Sequence, residues 1–269
     1  MTRSPGLRAY AIGYLIFLYA PIVLLPIFAF NDSKIIAFPL SGFTTNWFSE
    51  MWNDSQMWIA LRHSLIIAGS TSVLATTLGI FAARASTRYS FPGKGPALGL
   101  IMLPLVLPEM IVAMSLLVVL LALGVPLSIL TVILGHSLIC TPFAVAILTS
   151  AFQSLDKSLE EAAYDLGETP LSTFRLIILP LVMPGIISSL LICFTISLDE
   201  FIIAYFLAGA DSVLSSYIYS QFRFPARVPA MLALGTILVL VSVVLLTIAE
   251  YFRRRGIAKT GGKDTGGFL

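Results

Sequence analysis

Six apolar runs, each about as long as a bilayer is thick, leave this chain few ways to fold. They cover roughly residues 10–30, 58–83, 96–121, 127–150, 180–207 and 228–252. A helix needs about 20 apolar residues to cross the hydrocarbon core. With no water there, its backbone N–H and C=O groups must bond within the segment. Barrel strands would be runs of about 10 residues with alternating polarity, so these runs are helical. Composition agrees: 58% of residues are hydrophobic and 11% charged, whereas soluble domains carry about a quarter charged. Mean hydropathy is +0.95. The expected class is an all-α integral membrane protein with six transmembrane helices, forming a single transmembrane domain over residues 1–269.

Arg3 and Arg8 precede the first run. It is too long for a signal-peptide core and no small-x-small cleavage site follows it, so it reads as an uncleaved spanning helix. Trp47, Trp52 and Trp58 cluster before the second run, as residues at a membrane–water boundary do. Six spans put both termini on one side, and Lys/Arg counts choose that side. Arg3, Arg8, Arg84, Arg88, Lys94, Lys157, Arg175, Arg253, Arg254, Arg255, Lys259 and Lys263 fall with the termini, against Lys34, Arg62, Arg223 and Arg227 opposite. Both termini are therefore expected in the cytoplasm, the Trp-rich loop outside, and the glycine-rich tail 253–269 flexible. Net charge is only +2 and carries no nucleic-acid signal. Cys140 and Cys193 lie inside apolar runs and read as small buried residues rather than a disulfide or metal pair. His63 and His136 are too isolated for a metal site, so no metal is expected.

Residues 151–179 interrupt the apolar pattern between spans four and five. Lys157, Glu160, Glu161, Asp165, Glu168 and Arg175 make this a water-facing segment, cytoplasmic by the count above. Asp156 or Ser158 can cap a helix start, Ser158 with Glu161 having capping-box spacing. Gly167 suits the left-handed residue that ends a helix. Thr169 with Pro170 then starts a second one, running over Leu171–Ile178 to meet the membrane at Pro180. The expectation is two short helices lying along the membrane face. A helix resting on lipid headgroups would be Lys/Arg-rich; this one is acidic.

Glu161-Ala162-Ala163, then Gly167, then Ile177-x-Leu179-Pro180, resembles the EAA signature of permease subunits of ATP-binding-cassette importers. The resemblance implies that the first short helix is a coupling helix docking into a cytoplasmic ATPase subunit. Glu161 would make polar contacts there, Ala162 and Ala163 would permit close approach, and Gly167 would supply the bend. The chain has no G-x-x-x-x-G-K-[ST] run of its own. It is thus expected not to be an enzyme and to carry no cofactor, with ATP and Mg on the partner ATPase.

Glu109, Asp199 and Glu200 fall within the expected spans. Each costs about 2.5–3.5 kcal/mol at a lipid-facing helix centre, so they should face the bundle interior or a wet pathway. With no Lys or Arg deep in any span, they lack an internal cationic partner and suit a cationic cargo. Pro104 and Pro108 break the helix before Glu109, as helices near transporter binding sites are often broken. Asp199 lies 19 residues after Pro180, about 28 Å along a helix, and Glu200 points about 100° away from it.

Nearly the whole length is similar to the second permease of spermidine/putrescine systems. Tyr19-Ala20-Pro21, Gly42-Phe43-Thr44-Thr45-x-Trp47, Pro108-Glu109-Met110-Ile111-Val112-Ala113-Met114-Ser115 and Ser197-Leu198-Asp199-Glu200 carry the likeness. It implies a bacterial inner-membrane importer in which Tyr19, Trp47, Glu109, Asp199 and Glu200 line the path. The aromatics would act by cation–π contact. The partners implied are a homologous permease, two ATPase subunits, an external solute-binding protein and a polyamine. The family often has Asp at position 109, so the longer Glu here narrows the path. Two rivals stand beside this reading. One is the same importer with ferric iron, thiamine or another small solute as cargo. The other is an ion-coupled secondary transporter, which leaves the EAA spacing unexplained.

Overall fold

The computed structural model describes residues 5–259. Its helices are α1 (Pro5–Ala29), α2 (Asn46–Trp52), α3 (Ser55–Arg88), α4 (Lys94–Met102), α5 (Glu109–Ala122) and α6 (Ile129–Gln153). They continue as α7 (Ser158–Asp165), α8 (Pro170–Thr173), α9 (Leu179–Asp199), α10 (Ile202–Leu207), α11 (Leu214–Gln221) and α12 (Val228–Lys259). Among the described residues the one β feature is an isolated bridge between Asn31 and Phe43.

Among the described residues, five helical stretches are long and apolar enough to cross a membrane. A sixth span exists only as two pieces, Lys94–Leu105 and Glu109–Ala122, bent by 104°. The break expected at Pro104 and Pro108 within the run 96–121 is thus present, as a sharp bend. Pro104 and Pro108 have no N–H to donate, and a residue preceding proline is pushed out of the helical region. The chain tightens into a 3-10 turn at Leu103–Leu105 and leaves it through Pro108 at ψ 128° before α5 starts.

Three other boundaries move. The fifth span starts at Pro170 and ends at Asp199, because α8 runs into α9 through a π turn at Phe174–Ile178. The second loop helix is thus the beginning of the span and not a separate surface element. The chain then breaks at Glu200, and α10 is a helix of its own. Between the fifth and sixth runs, residues 209–225 contain α11. Of the expected flexible tail, residues 253–259 continue α12, where Arg253 and Arg254 bond Glu250 at 2.6–2.8 Å; residues 260–269 lie outside the described part.

The chain divides into two compact units. The first comprises residues 1–58 and 217–241. Its core gathers Ala29, Trp47, Leu232 and Ala233 with Leu25, Phe28, Phe48 and Val228. The second comprises residues 59–216 and 242–269. There α6 packs on α9, and α10 packs on α5 and α6. The contacts are close because one partner lacks a side chain. A Cβ on Gly135 would come within 2.6 Å of Ile203, one on Gly185 within 2.7 Å of Ala151, and one on Gly79 within 2.8 Å of Ala144. In lipid, where tails are as apolar as leucine, such small-residue contacts let helix backbones approach and pack. No residue of the α1 window is buried within the chain, against 56% of the α6 window. A helix that apolar and that uncovered requires lipid or another subunit around it.

Candidate functional site

Helix α7 is built as the sequence implies, with one change at its start. Ser158 is the first helical residue, and its amide donates to the Asp156 carboxylate at 3.0 Å. That bond holds the exposed Asp156 carboxyl below the usual carboxylate range. Asp156 is therefore the cap, and the Ser158–Glu161 capping box does not form. At the other end Gly167 takes φ +87°, a region that favours glycine. This turns the chain so that the Glu168 amide donates to Ala163 O at 3.0 Å and the Gly167 amide to Tyr164 O at 2.9 Å. Thr169 caps α8: its hydroxyl accepts from the Ser172 amide at 3.3 Å, and the Ser172 hydroxyl accepts from the Thr169 amide at 3.1 Å. The Ser172 hydroxyl also donates to the Glu168 carboxylate.

The two acids in the first turn of α7 separate by one helical step. Glu160 and Ala163 are buried, while Glu161, Ala162 and Gly167 are exposed with Leu159, Tyr164 and Leu166. The Glu160 carboxylate accepts from Arg88 Nε at 2.6 Å and lies 3.5 Å from Arg84 Nη2. Arg84 also sits over the Phe174 ring, 4.9 Å from its centroid. Ile177 and Leu179 are half-buried in the helix leading into the membrane, and Pro180 is exposed beside them.

The intramembrane acids divide in the same way. Glu109 is the first residue of α5, exposed at the 104° bend between the two pieces of the broken span. Asp199 ends α9, exposed, and accepts from the Ser242 hydroxyl at 3.3 Å. Glu200 is buried. Its carboxylate accepts from the Ile203 and Ala204 amides at 2.9 and 3.2 Å, capping α10. It lies 3.1 Å from His136 Nε2 on α6, and the other nitrogen of that ring is 2.7 Å from the Ser197 hydroxyl. Glu200 thus has an internal partner that a Lys/Arg count does not register, the His136 ring. The set has the residue types of a hydrolase triad, but His136 is fully buried and no reactant reaches it. A fourth acid missed from sequence, Glu250, lies in the run 228–252 and pairs with Arg253 and Arg254 in the next turn.

The aromatics part too. Trp47 is buried, with its indole N–H donating to Asn31 O at 2.8 Å; it anchors the segment between α1 and α2 and presents little face to a solute. Tyr19 is exposed on α1. Trp52 and Trp58 pack edge-on at 4.7 Å, and the Trp58 indole donates to Trp52 O. Cys140 and Cys193 are buried free thiols facing each other's backbone carbonyls across α6 and α9 at 3.7 and 3.6 Å. His63 contacts Ser212 O at 2.9 Å.

Comparison with known proteins places this arrangement. The putrescine transport system permease protein PotI of Escherichia coli (strain K12) is 36% identical over 263 residues, 95% of this chain and 93% of the relative. The spermidine/putrescine transport system permease protein PotC of Haemophilus influenzae is 32% identical over 240 residues, 89% and 93% of the two chains. Among solved structures, a bacterial ABC transporter involved in import of the acidic polysaccharide alginate matches with TM-score 0.67 at 16% identity, covering 95% of this chain and 98% of that one. The MetNI methionine ABC transporter, in inward-facing form, matches with TM-score 0.60 at 15% identity over 76% and 99%. At such identities the structures speak for the fold alone, and that fold serves cargoes as unlike as alginate and methionine. Residues 75–257, which hold α7 and the acids at 109, 199 and 200, match the family described as binding-protein-dependent transport system inner membrane component. This protein belongs to that family of multi-span inner-membrane permeases.

Proposed function

We propose that this chain is the permease subunit of an ATP-driven importer of a polyamine-like cation. It works with a homologous permease, two cytoplasmic ATPase subunits and an external solute-binding protein. The observation that carries the reading is α7. Glu161, Ala162, Leu159, Tyr164 and Leu166 stand uncovered on a short helix capped at both ends, and a rigid mixed acidic–apolar ridge of this kind fits a groove on another subunit. With α7 and both termini on the cytoplasmic side, ATP-driven closure of the ATPases pulls on α7. The motion enters the membrane through the continuous stretch from α8 into α9.

Cargo follows from the exposed acids and from kinship with putrescine and spermidine permeases. Glu109 at the break and Asp199 at the end of α9 are the open carboxylates, with Tyr19 as an exposed aromatic. Ion pairing with amine groups favours di- and tri-cations over anions. Glu200 is committed to His136 and the start of α10, and Trp47 to Asn31.

The test is reconstitution. The complex should co-purify with an ATPase and take up radiolabelled putrescine only with ATP and Mg. Glu161→Lys should detach the ATPase. Glu109→Gln with Asp199→Asn should abolish uptake while the ATPase stays bound. Putrescine uptake that survives ATP depletion overturns the class, and normal uptake by the double variant overturns the cationic path.

A further inference from the structure

The inward-facing acid of α7 has a place in this machine that the signature does not assign. Glu160 is held by the last turns of α3. Arg88 Nε donates to its Oε1 at 2.6 Å, and Arg84 Nη2 approaches Oε2 at 3.5 Å. The side chains are nearly out of solvent, at 11% exposure for Glu160 and 10% for Arg88. Arg88 reaches further, donating from Nη2 to Leu155 O at 3.2 Å in the linker that leaves α6. Arg84 packs on Phe174, where α8 passes into α9. One end of one helix therefore grips three successive parts of the cytoplasmic segment: its entry, its docking helix and its exit.

Desolvation separates this pair from a decorative one. An exposed ion pair is worth little and yields readily. A buried pair is held by geometry, because parting it leaves uncompensated charges. Besides Glu160, α7 connects to the spans through the linker to α6, the Gly167 turn into α8 and packing against the π turn at Phe174–Ile178, none of which ties it to α3.

We propose that Glu160 is a positioning residue that locks α7 to the cytoplasmic end of α3, so that a pull on α7 moves α3 together with α9. This rests on the reading of α7 as the docking helix. Glu161 makes the outward contact, and its neighbour Glu160 divides the resulting motion between two spans.

The intact complex in proteoliposomes tests it. Spin labels at Asp165 on α7 and Phe81 on α3, both exposed, report one distance with and without ATP and vanadate. In the parent that distance stays unchanged as the complex cycles. In Glu160→Gln it shifts with nucleotide while the ATPase subunit remains bound, and putrescine taken up per ATP hydrolysed falls about tenfold, the size of a coupling between sites. Exchanging the charges, Glu160→Arg with Arg88→Glu, restores both readouts. A parent distance that changes with nucleotide overturns the proposal without any variant. So does a Glu160→Gln complex with the parent's distance and stoichiometry, or an exchanged pair no better than the single change. The docking reading fails separately, if Glu161→Lys keeps its ATPase.

Discussion

Two pairs of adjacent acids, Glu160–Glu161 and Asp199–Glu200, sit at opposite ends of the stretch that runs from α7 through α9. In each pair one carboxylate turns inward and is consumed by the chain, and the other stays open. Glu160 is held by Arg84 and Arg88, while Glu161 faces out. Glu200 is held by His136 and two amides, while Asp199 faces out with a hydroxyl beside it. In α7 consecutive residues point about 100° apart, and after Asp199 the helix ends and Glu200 turns extended, so in each pair one acid is directed onto the packed core. It survives there only with partners. The inner acid is therefore a fixture and the outer one is available for function. A motif that counts acids without direction mixes the two roles.

The sharpest way to break this comparison is Glu200→Ala. It strips the cap from α10 and leaves a buried ring nitrogen and two amides without their acceptor, at an expected cost of about 2–4 kcal/mol, read as a lower unfolding midpoint of the purified protein in detergent. The outer partner should behave oppositely: Asp199→Asn should shift stability by less than about 0.5 kcal/mol and be felt in uptake. An unchanged midpoint for Glu200→Ala would return Glu200 to the pathway.

A third acid, Asp54, tests the rule outside the spans. It caps α3 through the Gln56 and Met57 amides and accepts from Tyr217 Oη at 2.6 Å and Arg227 Nη1 at 3.2 Å. Burial pushes its carboxyl up, but the Tyr217 hydroxyl, those amides and Arg227 together bring it below the usual range. Burial and the Asp54 charge push the Tyr217 hydroxyl up, so it remains a donor. Tyr217→Phe should cost about 1.5–3 kcal/mol, as loss of a bond to a charged group does. Because Asp54 is depressed in the folded state, its stabilisation is full above the ordinary Asp value of about 3.9. It is lost as pH falls through the lower folded-state value. The gap between parent and Tyr217→Phe midpoints should therefore close in acid; a gap that persists there would remove Asp54 from the account.

Gly167→Val should cost about 1–2 kcal/mol, the strain of a left-handed β-branched residue. No atom stands within 4 Å of the added Cβ, so the damage should stay at the α7–α8 turn and appear as lost ATPase co-purification. Arg227→Ala should be the mildest. Its side chain is 47% exposed, and such pairs contribute about 0–1 kcal/mol.

The segment 151–179 was legible because its signals are local. The left-handed glycine, the Thr169–Pro170 start and the proline-broken helix before Glu109 are each set by a residue and its near neighbours in sequence. The boundaries that moved were those where a local break signal met continuous packing. The prolines at 170 and 180 suggest an interruption, but the helix continues through a π turn because Ile178 and Val182 are buried in one cluster with Phe152 and Leu148 of α6. Trp47 reads as an interfacial aromatic until Asn31 and the apolar residues around it are seen to enclose it.

By itself the sequence determined what the chain must be made of. Apolar runs of that length have no alternative to helices in lipid, and the Glu161–Pro180 spacing requires a capped turn before the fifth span. Only the tertiary structure decided which acids are open. His136 is 64 residues from Glu200, and Arg88 is 72 from Glu160. A carboxylate's availability depends on the groups that reach it, and helix packing brings those groups from parts of the chain that no local pattern connects.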